Sequence, residues 1–96
     1  MKLVDCEPRF VRYDGNREVE GQMTITNAQG ICFDEPTKGV RLCIPFRNRG
    51  VPDHINGGQQ WEVVSGSSFA DLTLSPSIDA SKYGLWHGFI TNGECI

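Results

Sequence analysis

The sequence lacks any run of 18 apolar residues, which is about the length that a membrane-spanning helix needs. Its first ten residues, MKLVDCEPRF, contain one Lys and an acidic side chain at Asp5, but no apolar core of the kind found in a secretory signal peptide. These absences favour a protein that stays out of membranes and acts in a cytoplasm.

Basic residues are also few: there are 9 Lys and Arg against 12 Asp and Glu, and the net charge is −3. Nonspecific nucleic-acid binding needs clustered Lys and Arg that replace counterions along the phosphates. The only basic concentration is RNRG, with Arg47 and Arg49, which is more typical of a solvated turn than of a phosphate site. The composition therefore predicts no direct contact with nucleic acid.

Recognisable catalytic motifs are missing as well, since the chain has no G-x-S-x-G, P-loop or G-x-G-x-x-G segment. The hydroxyls of SGSSF and the pair Asp53-His54 are reactive groups, but nothing in the sequence brings a nucleophile, a base and a carboxylate together. We expect a protein that is not an enzyme. A hydrolase built on His54 or His87 would need a cleft that a sequence does not reveal.

What the chain does contain favours strands and turns. Glycine is frequent, at 11 of 96 residues, alanine is scarce, and hydrophobic residues make up 39%. We expect a single all-β domain over residues 1–96, an antiparallel sheet or sandwich of about six to seven short strands joined by hairpins. The predicted strands lie at 9–13, 22–26, 61–65 and 72–78, at most one short helical turn lies at 66–72, and a long polar loop spans 47–60.

The clearest element is a hairpin in ICFDEPTKGVRLCIPF, residues 31–46, with its tip at 37–38. This register places Asp34 opposite Arg41, a cross-strand ion pair that contributes about 0.2–1 kcal/mol. A slip by one residue would send the apolar side chains to the wrong face. The shared apolar face consists of Ile31, Phe33, Leu42 and Ile44.

A second hairpin closes the chain in LWHGFITNGECI, residues 85–96. Asn92-Gly93 favours a two-residue type I′ turn. Because successive side chains of a strand alternate, Trp86 and His87 must point to opposite faces.

The four cysteines, at positions 6, 32, 43 and 95, are expected as thiols because cytosolic disulfides are rare. No close C-x₂₋₄-C pair indicates zinc, and we expect no cofactor. The hairpin register still places Cys32 opposite Cys43, which leaves two alternatives open. One is a cross-strand disulfide. The other is a zinc site made by Cys32, Cys43 and His87, with a further ligand from Cys95 or His54.

Four blocks of the sequence, KLVDCEPRFVRY, GVPDH, WEVVSGSSFADLTLSPSI and WHGFITNGE, resemble a family of small bacteriophage and prophage proteins of unknown function. Members of that family are sometimes mislabelled as ammonia monooxygenase. The resemblance runs along nearly the whole chain. It implies a small β-rich, phage-encoded protein in the cytoplasm of a bacterial host, and it does not imply an enzyme.

Typical members look like metal-site proteins, with a Cys-Pro-x-Cys pair after the Phe of the central hairpin and a Cys just before Trp-His. Here Glu35 and Lys38 stand at the positions of the paired cysteines and Leu85 precedes Trp86, so that only His87 remains of that set. The resemblance therefore implies a metal site that has been lost, with His87 as a leftover or a contact residue.

A family frame without its metal site indicates repurposing as a non-catalytic protein. The predicted partner is a host bacterial protein or ribonucleoprotein complex, and the predicted role includes inhibition of CRISPR or another defence system. We expect contact through loop 47–60 and an exposed strand edge, and the small core is compatible with a homodimer. The candidate partner-binding residues are Arg47, Arg49, Asp53, His54, Glu62, Asp71, Asp79 and His87.

Overall fold

The computed structural model describes all 96 residues, and ten short strands make up its regular structure. The strands are β1 (Arg9–Asp14), β2 (Arg17–Glu20), β3 (Gly30–Asp34), β4 (Arg41–Pro45), β5 (Glu62–Ser65), β6 (Thr73–Ser75), β7 (Ile78–Asp79), β8 (His87–Gly88), β9 (Ile90–Thr91) and β10 (Glu94–Cys95). Three short 3₁₀ turns, Leu3–Asp5, Ile55–Gly58 and Ser81–Tyr83, are the only helical segments, whereas at most one was expected, at 66–72. None of them has the length and apolarity that a membrane crossing requires.

The all-β class is confirmed. The structure has more strands than the expected six to seven because four of the ten, β7 to β10, are only two residues long. Four strands form the main sheet in the order β2-β1-β3-β4, so β2 and β4 are its edges. The other six form three antiparallel ribbons, β5–β6, β7–β8 and β9–β10.

The core joins one face of the main sheet to side chains from the ribbons and from the N-terminal segment. Alternation along β1, β3 and β4 directs the apolar side chains to this face. The sheet contributes Phe10, Ile31, Phe33 and Ile44, and the second half of the chain contributes Trp61, Leu72, Leu74, Ile78, Trp86, Ile90 and Cys95. The sheet would expose this face to water without the ribbons, so the two parts depend on each other for burial.

The β3–β4 hairpin has the predicted register. Phe33 lies opposite Leu42, and Asp34 lies opposite Arg41. Nη1 of Arg41 is 3.0 Å from Oδ1 of Asp34, which confirms the cross-strand ion pair.

The terminal hairpin is confirmed as well. Asn92 and Gly93 both have positive φ, 48° and 75°, as a type I′ turn requires. The Gly93 carbonyl accepts a hydrogen bond from the N–H of Leu3 at 2.8 Å, which ties the two ends of the chain together. Trp86 is buried and His87 is exposed, so their side chains do lie on opposite faces.

Residues 22–26 are not the strand that their alternation suggested. They form turns instead, and Arg49 holds this segment by donating hydrogen bonds to the carbonyls of Ile25 and, at 2.9 Å, Ala28. Hydrogen bonds to a guanidinium that is distant in the sequence therefore decide the backbone conformation here, in spite of the alternation of apolar and polar residues.

Two further segments also differ from expectation. Residues 66–72 turn without forming a helix, because the Asp71 carboxylate accepts hydrogen bonds from the N–H groups of Ser67 and Ser68 at 3.0 and 2.9 Å. Residues 17–20, for which the sequence predicts no strand, form β2, whose four residues are all exposed. An edge strand without a buried face has no apolar alternation by which to recognise it.

We expect Gly93→Ala to lower the free energy of unfolding by about 2–4 kcal/mol, as measured by chemical denaturation. The left-handed φ strains any residue with a Cβ, and a Cβ here would lie 2.2 Å from the carbonyl oxygen of Ala70. Gly15→Ala is the matched control, since Gly15 also lies in a hairpin turn with φ 62° but has open space around it. It should lose only the strain, about 1–2 kcal/mol. Equal losses in the two variants would contradict the packing of the terminal turn against Ala70.

Candidate functional site

A groove of about 360 Å³ lies beside the edge strand β4, and we call it the β4 groove. β4 lines it with Leu42, Cys43 and Ile44, and the segment of β7 and the turn after it lines it with Ile78, Asp79, Ala80, Lys82 and Tyr83. Trp61 and two amide side chains of loop 47–60, Asn56 and Gln59, complete the lining. The groove thus combines a strand edge, apolar side chains and a few polar groups.

The hydrogen bonds of the hairpin show which backbone groups of β4 face the groove side. The N–H of Glu35 donates to the carbonyl of Val40 at 2.9 Å, so this pair is bonded across the hairpin. The N–H of Asp34 instead points away from β4 and donates to Cys6 at 2.8 Å. Because bonded pairs alternate in an antiparallel ladder, the N–H and C=O groups of Arg41 and Cys43 point outward from β4.

The outer side of β4 is occupied only at its far end. The carbonyl of Pro45 accepts a hydrogen bond from the N–H of Trp61 at 2.9 Å, and the N–H of Arg47 donates to the Trp61 carbonyl at 2.7 Å. No strand pairs with the outer side along residues 41–44. This stretch is an open strand edge that borders a groove.

On the wall of the groove opposite β4, Asp79 carries a negative charge that hydrogen bonds hold in place. Its carboxylate accepts hydrogen bonds from the hydroxyl and, at 2.9 Å, from the N–H of Ser81. These bonds, with a smaller effect from His87, hold the pKa of Asp79 below its ordinary value. His87 lies directly opposite Asp79 in the β7–β8 pair. Asp79 is therefore kept in its charged form.

Tyr83 is the most exposed large hydrophobic side chain of the groove, with 68% of its surface in water. The ammonium group of Lys82 lies 5.0 Å from the centre of its ring. An exposed aromatic ring beside a strand edge is a suitable surface for an apolar side chain of a bound partner.

A buried carboxylate, Glu35, fixes the two sides of the groove relative to each other. Only 1% of Glu35 is exposed, and no Lys or Arg pairs with it. At the hairpin tip it accepts hydrogen bonds from the hydroxyl and N–H of Thr37 and from the N–H groups of Lys38, at 2.7 Å, and Gly39, at 3.3 Å. Its other link reaches across the sequence to the N–H of Trp86, at 3.2 Å.

The link from Glu35 continues into the far wall of the groove. The Trp86 carbonyl accepts a hydrogen bond from the N–H of Ala80 at 3.0 Å, and Ala80 follows β7 directly. The hairpin that carries β4 and the segment that carries Asp79 are therefore joined through this carboxylate. A second route runs from Pro45 through Trp61, whose indole N–H donates to the carbonyl of Ser77 at 3.2 Å. The resemblance aligns positions 35, 38 and 85 with metal-site cysteines. Glu35 and Lys38 belong to this set of hydrogen bonds, and Leu85 directly precedes Trp86.

Burial alone would raise the pKa of Glu35, because a carboxylate is less stable when it is removed from water. The hydrogen bonds from Thr37, Lys38 and Trp86 outweigh burial and hold the pKa below its ordinary value. Glu35 therefore stays ionised in the folded chain without a cationic partner.

The groove collects some of the predicted partner-binding residues. Asp79 lines it, His87 is paired with Asp79, and loop 47–60 supplies Asn56 and Gln59. Asp53 and His54 are exposed in the same loop but do not line the groove.

The remaining candidates lie outside the groove, and three of them have structural contacts. The guanidinium of Arg47 donates a hydrogen bond to the Gln60 carbonyl at 3.4 Å. Arg49 is half-buried over the Phe46 ring and holds residues 25–28, and Asp71 organises the turn at 67–71. Arg47 and Glu62 are exposed outside the groove lining.

The cysteines differ from the expected four thiols. Cys32 and Cys43 form a disulfide across the β3–β4 hairpin, with Cα atoms 4.1 Å apart, whereas Cys6 and Cys95 are free and buried. Of the two alternatives left open by the sequence, the structure contains the disulfide. It brings no group of three or more His, Cys, Asp and Glu side chains into an arrangement that could hold a metal ion. The zinc site stays a prediction, which elemental analysis of the purified protein tests.

Sequence reasoning missed Glu35 and Tyr83. A signal for Glu35 was present in EPTKG, since an acidic side chain before a turn often binds the turn's own N–H groups. No local signal marks Tyr83, because its role comes from the packing of β7 beside β4.

A larger cavity of about 560 Å³ is lined by Phe10, Met23 and Phe69 together with polar residues. It contains none of the predicted site residues and consists mainly of apolar surface. We therefore place the candidate site in the β4 groove, where backbone groups, charge and an aromatic ring occur together.

Comparisons of the chain with protein-family models, with curated proteins and with solved structures found no match. The phage family remains a prediction from the sequence.

We expect Glu35→Gln to lower the free energy of unfolding by about 2–4 kcal/mol, because its amide N–H₂ would face N–H donors that now bind a carboxylate. Asp34→Asn is the control on the same hairpin, in a half-exposed ion pair, and should lose less than about 1 kcal/mol. Urea denaturation of both variants measures the difference. A Glu35→Gln protein as stable as the parent would show that this carboxylate does not hold the hairpin to Trp86.

The pH dependence of stability gives a separate test. Because the folded pKa of Glu35 lies below its ordinary value of 4.5, its stabilising contribution is present above that value and is lost as the pH falls through the folded pKa. The free energy of unfolding should therefore fall on acidification below about pH 4.5, and fall less steeply in Glu35→Gln. Parallel pH profiles for the two proteins would contradict this assignment.

Proposed function

We propose that the chain is a non-catalytic interaction protein that binds an extended segment of a partner protein along the outer edge of β4. The observation that carries the proposal is the pair of outward-facing residues, Arg41 and Cys43, on a strand edge that no other strand covers. An extended peptide can add itself to such an edge as a further strand, with main-chain hydrogen bonds for affinity and side-chain pockets for specificity.

The groove also suggests the chemistry of the bound segment. The half-buried Leu42 and the exposed ring of Tyr83 offer apolar surface for one large apolar side chain. Asp79 stays charged, Lys82, the one cation of the lining, lies over the Tyr83 ring, and the chain as a whole has a net charge of −3. An apolar residue followed or preceded by Lys or Arg therefore suits this groove better than an acidic segment.

The family resemblance extends the proposal to a biological setting. In that setting the chain is phage-encoded, the partner is a host bacterial protein or the protein surface of a ribonucleoprotein complex, and binding inhibits a defence system such as CRISPR. An acidic interaction protein is suited to surfaces that are themselves basic.

Selection from a library of random peptides, followed by fluorescence anisotropy with the enriched sequences, tests the binding mode. We expect extended peptides with an apolar and a basic residue, whose binding raises the anisotropy of the labelled peptide. Arg41→Pro should weaken binding about tenfold or more, because it removes the outward N–H that a bound strand would use. Arg41→Val is the matched control: it loses the same guanidinium but keeps the N–H, and should bind within about twofold of the parent.

Equal binding by the two Arg41 variants would contradict strand addition at β4. Light scattering tests whether a second copy of this chain occupies the edge instead. A stable dimer that forms without peptide and that Arg41→Pro dissociates would show that β4 serves self-association rather than the binding of a partner peptide. If the enriched peptides change no NMR chemical shifts of residues that line the groove, the binding site lies elsewhere.

A further inference from the structure

The two ends of the Cys32–Cys43 disulfide lie in different surroundings. Cys32 belongs to β3, an inner strand that pairs with β1 on one side and β4 on the other, and only 2% of it is exposed. Cys43 belongs to the edge strand β4, is partly exposed, and lines the β4 groove. A thiol in solution therefore meets this disulfide from the side of Cys43.

The neighbours of each cysteine in the sheet strengthen this difference. The strand register places Arg9 opposite Cys32 on β1 and Cys43 opposite it on β4, so the Cys32 side chain has a neighbour on both sides. Cys43 has a strand neighbour on one side only, and nothing pairs with β4 at this residue on the other.

We propose that Cys43 is a site of reversible thiol–disulfide exchange with low-molecular-weight thiols. The incoming thiolate attacks Sγ of Cys43, a new sulfur–sulfur bond forms there, and the Cys32–Cys43 bond breaks. The electron pair of that bond leaves on Sγ of Cys32 as a thiolate, which takes a proton from water. Attack through this sulfur follows from access, since exchange proceeds at the sulfur that the thiolate can reach.

The hairpin also makes the step reversible. The register keeps Cys32 and Cys43 opposite each other, with Cα atoms 4.1 Å apart, and the ion pair of Asp34 and Arg41 adds to that pairing. The Cys32 thiolate can attack Sγ of the mixed disulfide at Cys43, restore the original bond and release the small thiol. Cys43 is thus a modification site with its own resolving cysteine.

The other two cysteines do not compete for the reagent. Cys6 and Cys95 are both buried in the core, with 2% and 5% exposed. Burial raises the pKa of both thiols, that of Cys95 to about 12, so that neither supplies much thiolate at neutral pH. They serve as internal references in the same molecule.

The first test uses the unaltered protein and reduced glutathione as the probe. The folded protein is incubated with glutathione, quenched in acid, unfolded and alkylated with N-ethylmaleimide. Trypsin cleavage after Lys38 and Arg41 places Cys32 and Cys43 in different peptides. We expect glutathione on Cys43 and N-ethylmaleimide on Cys32. Glutathione on Cys32, or a folded protein whose disulfide stays closed at glutathione concentrations that open it in the unfolded protein, would overturn the proposal.

A matched pair of variants, Cys32→Ser and Cys43→Ser, isolates the effect of position, because each loses the same disulfide and keeps one of its cysteines. With oxidised glutathione as the probe, the Cys43 thiol of Cys32→Ser should form a mixed disulfide on the order of tenfold faster than the Cys32 thiol of Cys43→Ser. Near-UV circular dichroism checks that both variants are folded. Equal rates, or a faster reaction at Cys32, would contradict the assignment.

This inference does not depend on the proposed peptide binding. Failure of the exchange experiment leaves the edge of β4 available to a partner, and failure of the Arg41 comparison leaves the reactivity of Cys43 unchanged.

Discussion

The carboxylate of Glu35 joins two parts of the chain that are far apart in the sequence, the tip of the β3–β4 hairpin and the segment of Trp86. It collects the N–H groups of the turn at 37–39 and reaches 51 residues along the chain to the N–H of Trp86. A buried charge without a cation is tolerated only when hydrogen bonds replace the water that it has lost. The folded chain must therefore keep the hairpin tip and the Trp86 segment together, because separating them would leave this carboxylate unsatisfied.

The groove follows from that constraint. β4 is held on its inner side by β3, by the disulfide and by the pair of Asp34 and Arg41. The far wall, with Asp79 and Ala80, is fixed through Trp86. The outer edge of β4 stays open between these two walls, so the same contacts that stabilise the fold also keep the edge in an extended form ready for pairing. Such preorganisation lowers the conformational entropy that this chain loses on binding.

The sequence was informative where the alternation of apolar and polar side chains and the turn residues predicted the same strand pairing. The apolar residues from Ile31 to Ile44 fixed the register of the β3–β4 hairpin, and Asn92-Gly93 fixed the last turn. It misled where a distant group decides the backbone: Arg49 captures the carbonyls near Ile25, so a segment with strand-like alternation becomes a series of turns. β2 was overlooked because an entirely exposed edge strand needs no apolar face.

The site was predictable only in part, for a similar reason. Loop 47–60 and Asp79 stood out through length and charge, but their position beside β4 depends on how the ribbons pack on the main sheet. Asp71 and Arg49 resembled surface charges, yet their hydrogen-bonding groups are used inside the fold. Charge in a sequence does not distinguish a side chain that meets a partner from one that satisfies its own backbone.

Amide hydrogen exchange along β4, followed by NMR in the free protein and with a selected peptide, tests the central claim most directly. In the free protein the amides of Leu42 and Ile44, bonded to β3, should exchange slowly, while those of Arg41 and Cys43 exchange fast. The bound peptide should protect Arg41 and Cys43. Protection of these two amides before any peptide is added, or their continued fast exchange in the complex, would contradict an open edge that binds a partner strand.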